Sequence, residues 1–132
     1  MQTFQIQIPS LVENIRIVES FIDNIKNQCH INDDIYGNIM VAVTESVNNA
    51  IIHGNAQQKD NLVRLSVQVN QNQVRFMVED EGPGFDYTNL ADPTAPENID
   101  KPGGRGIFLM KHLCDEVNFT KEGACVEMIF YV

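Results

Sequence analysis

Apolar and polar residues alternate with a period of two in four stretches of the chain and recur near a period of 3.6 in three others, predicting strands and helices respectively. Phe4, Ile6 and Ile8 oppose Thr3, Gln5 and Gln7 until Pro9 ends the run, so residues 3–8 predict a half-buried first strand. Leu11, Ile15, Val18, Ile22 and Ile25 then follow at helical spacing to about Cys29. Ser10, with Glu13 three positions on, has the form of a capping box at the start of that helix. A second helix, capped by Asn32 or Asp33, carries Ile35, Ile39, Ala42, Val43, Val47, Ala50 and Ile51 to about His53, with Gly54 as its stop. The polar stretch 55–61 predicts a turn. Val63, Leu65, Val67 and Val69 alternate with polar neighbours, as do Val74, Phe76 and Val78 after Asn70-Gln71-Asn72, predicting two antiparallel strands joined by a short turn. Periodicity lapses from Tyr87 to Pro102. Ile107, Phe108, Met110, Leu113 and Cys114 predict a short helix, and residues 117–120 and 126–132 a closing strand pair turned at Glu122-Gly123. The pattern predicts an α+β fold: a two-layer sandwich with a mixed, mostly antiparallel sheet and helices on one face, in a single domain over 1–132.

Composition narrows the partners. Nine Lys+Arg against eighteen Asp+Glu give a net charge of −9, which repels nucleic acid and anionic lipid surfaces. No apolar run approaches membrane-spanning length and no charged-then-apolar leader opens the chain, so a cytoplasmic location is expected. Cys29, Cys114 and Cys125 show no C-x-x-C spacing and sit in apolar patterns, which predicts buried free thiols in a reducing compartment. His30, His53 and His112 form no ligand-spaced cluster with them, arguing against zinc.

Three sites carry chemistry. Glu45 and Asn49 lie one helical turn apart on a common face: a carboxylate able to orient or deprotonate a nucleophile, and an amide oxygen suited to a hard cation such as Mg²⁺. The period of the strand over 74–80 turns Asp80 toward the core, where a carboxylate needs partners, and Glu81-Gly82-Pro83-Gly84 follows at once with glycines that permit close approach. Gly103-Gly104-Arg105-Gly106 leads into the third helix, whose N-terminus offers backbone N–H groups to an anion, most often phosphate. The first helix presents Glu13, Arg16, Glu19, Asp23 and Lys26 on one face, either a solvated surface or a docking surface.

In this order the motifs resemble the GHKL family of ATP-binding domains, which includes those of DNA gyrase, heat-shock chaperones and sensor histidine kinases. The resemblance covers essentially the whole chain and is strongest over 42–55, 78–86 and 103–116. It implies that Glu45 acts as general base or orients the attacking group, that Asn49 ligates Mg²⁺, and that Asp80 accepts from the adenine amino group with Gly82 and Gly84 close to the base. It also implies an ATP lid over 87–102 and phosphate contacts at Gly104 and Gly106. Lys101 and Arg105 are equal candidates for the γ-phosphate. Gly123-Ala124 departs from the family's Gly-Thr and lacks one hydroxyl near the base.

Sensor histidine kinases of the family need a dimerisation helix with a phospho-acceptor histidine ahead of the second helix, where the roughly thirty residues here hold no histidine before His30. The gyrase and chaperone relatives need a transducer domain, which is not expected here. The expected branch is therefore the one similar to the stand-alone bacterial anti-sigma factor serine/threonine kinases. That likeness implies ATP and Mg²⁺ as cofactors, a sigma factor and an anti-anti-sigma STAS-domain protein as partners, and a homodimer; Arg16 and Glu13 become candidate partner contacts. The alternatives are a non-catalytic ATP-gated binding module and a slow ATPase.

Overall fold

The computed structural model describes residues 1–83 and 104–132. Five strands, β1 (Gln2–Pro9), β2 (Leu62–Val69), β3 (Gln73–Glu79), β4 (Glu116–Thr120) and β5 (Cys125–Tyr131), form one sheet in the order β1-β2-β3-β5-β4. Every described pairing is antiparallel. Among the described residues the sheet is thus antiparallel throughout and not mixed: β1 and β2 pair although α1 and α2 lie between them in the chain, β2 with β3 and β4 with β5 pair across short turns, and β3 and β4, separated in the chain by α3, are not paired.

Three helices complete the α+β sandwich: α1 (Ile15–Cys29), α2 (Asp33–Asn49) and α3 (Gly104–Leu113). α2 packs against both other helices and over β3 and β5, so the helix carrying Glu45 and Asn49 lies across the middle of the sheet. Its start is as the pattern predicts. The Asn32 side chain accepts from Asp34 N at 2.7 Å, and Asp33 and Asp34 complement the positive end of the helix dipole.

The core lies between the layers. Val63, Leu65 and Val67 of β2, Val74, Phe76 and Val78 of β3, and Met128 and Phe130 of β5 meet Val18, Ile22 and Ile25 of α1 and Ile39, Val43 and Val47 of α2. Phe76 and Phe130 stack edge to face with centroids 5.9 Å apart. The opposite face of the sheet is polar and ladders charges across strands. Arg64 and Lys121 both pair with Glu79, and Arg75 pairs with Glu127, which also accepts from Asn118 at 2.9 Å.

Two expectations are corrected. Ser10 caps no helix: a 3₁₀ turn over Val12–Asn14 intervenes, α1 begins at Ile15, and no side chain caps it. Ser10 is instead fully buried and donates to Asn61 O at 2.7 Å; a tertiary partner has won over the local cap. Among the thiols, Cys114 and Cys125 are buried, but Cys29 is partly exposed and donates to Gln2 Oε1 at 2.8 Å. Burial, aided by Asp115, pushes the Cys114 thiol up to about 12, so it stays protonated at neutral pH.

The turn after α2 stores strain. Ala56 and Gln57 have φ of 51° and 57°, a left-handed conformation that costs a side chain with a Cβ about 1–2 kcal/mol per residue. Ala56→Gly is expected to raise unfolding stability by about 1 kcal/mol in urea titration; a loss would show that this turn is not strained.

Candidate functional site

The site is built around α2. Ile39, Val43 and Val47 fix its inward face in the core, and the helical spacing then places Glu45 and Asn49 together along one flank. Glu45 is partly exposed and has no hydrogen bond or ion pair among the described residues, leaving its carboxylate available. Asn49 is different: its Nδ2 is fully buried and without a partner among the described residues. An unmade buried hydrogen bond costs about 1–3 kcal/mol, an expense that a bound group can offset. The amide also carries a hard oxygen, so the position suits Mg²⁺ held by one protein ligand together with phosphate oxygens and water. Among the described residues no group of three or more His, Cys, Asp and Glu could hold a metal on its own.

Beyond Asn49 the helix loosens into a π turn over Ala50–Gly54, in which Asn55 N donates to Ala50 O at 2.8 Å. Such turns insert one residue into a helix and recur at functional sites. Here the turn sets Gly54 against the end of β3. A Cβ on Gly54 would lie 2.8 Å from Asp80 Oδ1 and closer still to the other carboxylate atoms, and one on Gly82 would lie 2.6 Å from the Gly54 carbonyl carbon. Gly54, Asp80 and Gly82 therefore touch only because both glycines lack side chains. Gly54 ends the helical run, as its reading as a helix stop expects, and also serves this close approach.

Asp80 lies as the alternation predicts. Its N–H donates to Ala124 O at 2.9 Å, carrying the β3–β5 pairing one residue further, and its Oδ1 accepts from Gly82 N at 2.8 Å. Burial raises its carboxyl above the ordinary 3.8, the Gly82 N–H opposes that rise, and the charge of Glu79 adds to it. A half-buried carboxylate with one short internal hydrogen bond retains acceptor capacity for a ligand donor.

Asn55 belongs to this site, and its place in a polar turn-like run hid it. It is 2% exposed. Its Nδ2 donates to Ser10 Oγ at 2.9 Å and to Leu62 O at 3.1 Å, and its Oδ1 accepts from Glu81 N at 2.7 Å. The Glu81 carboxylate in turn accepts from Leu62 N. One buried amide thus ties together the end of β1, the start of β2 and the backbone between Asp80 and Gly82. The only hint in the sequence is an asparagine directly after the helix-ending glycine.

Helix α3 begins at Gly104, three residues before the predicted start, so Arg105 and Gly106 lie in its first turn among backbone N–H groups that have no partner within the helix. Gly84, Lys101 and the lid segment 87–102 lie outside the described residues. Glu13, in the 3₁₀ turn, and Arg16, in the first turn of α1, are both exposed. Arg16 borders a shallow groove of about 420 Å³ with Ile6, Ile17, Ser20, Phe21 and Asn24. Among the described residues no helix is long and apolar enough to cross a membrane.

A helix bearing Glu and Asn one turn apart, laid over an antiparallel sheet and closing on a strand-end Asp with glycine contacts, defines a class. A family profile described as the histidine kinase-like ATPase domain matches residues 8–130, and the chain belongs to that family. Its relatives include the serine-protein kinase RsbW of Staphylococcus epidermidis, 26% identical over 136 residues, covering 97% of this chain and 86% of the relative. The RsbW of Staphylococcus aureus strain MRSA252 is likewise 26% identical, over 137 residues, with the same coverage. The crystal structure of the RsbU and RsbW domains of Rv1364c from Mycobacterium tuberculosis shares the fold, with a TM-score of 0.69 at 15% identity. The match spans 99% of this chain and 31% of that longer one.

Proposed function

We propose that the protein binds ATP with Mg²⁺ and transfers the γ-phosphoryl group to a serine or threonine of a STAS-type antagonist, holding a sigma factor in the alternative complex. The observation that carries this is the composition of α2. It presents a carboxylate with no described partner at Glu45, an amide with an unmet buried donor at Asn49, and an end that packs on Asp80. The RsbW relatives, named as serine-protein kinases, support the choice of acceptor.

In this reading Asp80 accepts from the adenine amino group while Gly54 and Gly82 keep the floor of the pocket free of side chains. Asn49 would hold Mg²⁺, which supplies neutralisation of phosphate charge. The first turn of α3, with Gly104 and Gly106, would receive phosphate oxygens, and Lys101 or Arg105 would add positive charge. Glu45 takes the proton from the attacking hydroxyl as its oxygen bonds to phosphorus and ADP departs. Arg16 and Glu13 would contact the protein partners, a homodimer would present two such surfaces, and the setting would be the cytoplasm.

The test is transfer of labelled phosphate from ATP to a purified STAS-domain antagonist. Glu45→Gln is expected to lower transfer by about 10²–10⁴-fold with ATP affinity retained. Bound ATP with no transfer by the unaltered protein would overturn the kinase reading in favour of an ATP-gated binding module. Phosphate release without an acceptor would favour slow hydrolysis.

A further inference from the structure

Ser46 is 3% exposed, and its hydroxyl has no hydrogen-bond partner among the described residues. A helical serine has a ready internal remedy, donation to a carbonyl one turn back. Thr44, two residues earlier, takes that remedy, donating to Met40 O at 2.6 Å; Ser46 does not. Its near neighbours on the inward side, Ala42, Val43 and Val47 of α2 and Ala50 just beyond it, are buried and apolar, so these four offer it no polar partner. Alanine at this position would avoid the desolvation cost and form the better helix. In the ligand-free fold the hydroxyl is therefore a liability.

The second unmet group lies one turn on. Asn49 Nδ2 is also buried and unpartnered among the described residues, and positions three apart are neighbours along a helix surface. Both atoms can donate, and neither does so among the described residues. A single acceptor placed beside α2 would meet both. We propose that Ser46 is a further ligand-binding residue, donating together with Asn49 to an acceptor atom that arrives with the bound nucleotide, on the nucleotide itself or on a water ordered by it. This rests on the nucleotide-binding reading above.

Calorimetric titration of the full chain with Mg-ATP and with adenosine, alongside thermal melting without ligand, tests it on Ser46→Ala. The substitution is expected to raise the ligand-free melting midpoint while weakening Mg-ATP about tenfold, the effect of one buried hydrogen bond. Equal weakening of adenosine would place the acceptor at the nucleoside end, and an effect confined to Mg-ATP would place it at the phosphate end; both support the assignment. Unchanged affinity for both ligands would overturn it, and so would a lowered ligand-free midpoint, because the hydroxyl would then have its partner within the protein. If the unaltered protein takes up no adenine nucleotide, its own titration shows this before any variant is compared, and the nucleotide reading fails with the inference.

Discussion

Replacing Asp80 by Asn is expected to make the ligand-free protein more stable and to weaken adenine nucleotide binding on the order of a hundredfold, the loss associated with a hydrogen bond to a buried charged group. The two effects share one cause. Burial raises the Asp80 carboxyl above 3.8, so between 3.8 and its raised value the folded state binds more protons than the unfolded chain. Stability is therefore lost as pH rises through that window. At neutral pH the folded protein holds a carboxylate it would be more stable without. Asparagine has the same shape and can still accept from Gly82 N–H, but it carries no charge and places a donor where the adenine amine needs an acceptor. Melting curves at pH 7 should show the variant above the parent, with the gap closing as pH falls from the raised value of the folded state toward 3.8. A variant melting below the parent at neutral pH would mean that the charge is compensated inside the fold and is not reserved for a ligand.

Asn55→Ala is expected to cost about 3 kcal/mol in urea unfolding, because Glu81 N–H, Leu62 O and Ser10 Oγ all lose a buried partner at once. Binding should weaken as well. The tether to Glu81 fixes the backbone between Asp80 and Gly82, and without it the pocket floor has to be ordered by the ligand. Ser10→Ala removes one arm of the network and the separate bond to Asn61 O, two hydrogen bonds against three, and should cost about two thirds as much. Equal losses for the two variants would show that Ser10, not Asn55, is the hub.

The strands and the central helix were legible in the chain because their periods are long and unbroken. The alternation from Val74 through Val78 even gave the direction of Asp80, since a period of two leaves only two faces to choose from. What stayed hidden depended on contacts distant in sequence. Ser10 with Glu13 satisfies the local grammar of a helix start, and only the approach of Asn55 and Asn61 makes Ser10 more useful inside. The apolar run through Ile51 and Ile52 reads as plain α-helix whether or not the backbone slips into a π turn. Gly54 and Asn55 look like ordinary stop-and-turn residues until β3 brings Asp80 and Glu81 against them. The candidate site was legible as residue types at Glu45, Asn49 and Asp80, and illegible where its geometry is set by backbone contacts.

The π turn over Ala50–Gly54 acts as a one-residue shim between two registers, that of the core-facing helix and that of the strand end. Winding the same residues as regular α-helix would instead rotate everything beyond by about 100°, carrying the Asn55 amide away from its three partners without altering the apolar contacts upstream. Transplanting the motif into another scaffold would accordingly require residues 44–55 as one block, because the Glu and Asn alone would arrive without the offset that lets the helix end meet the sheet.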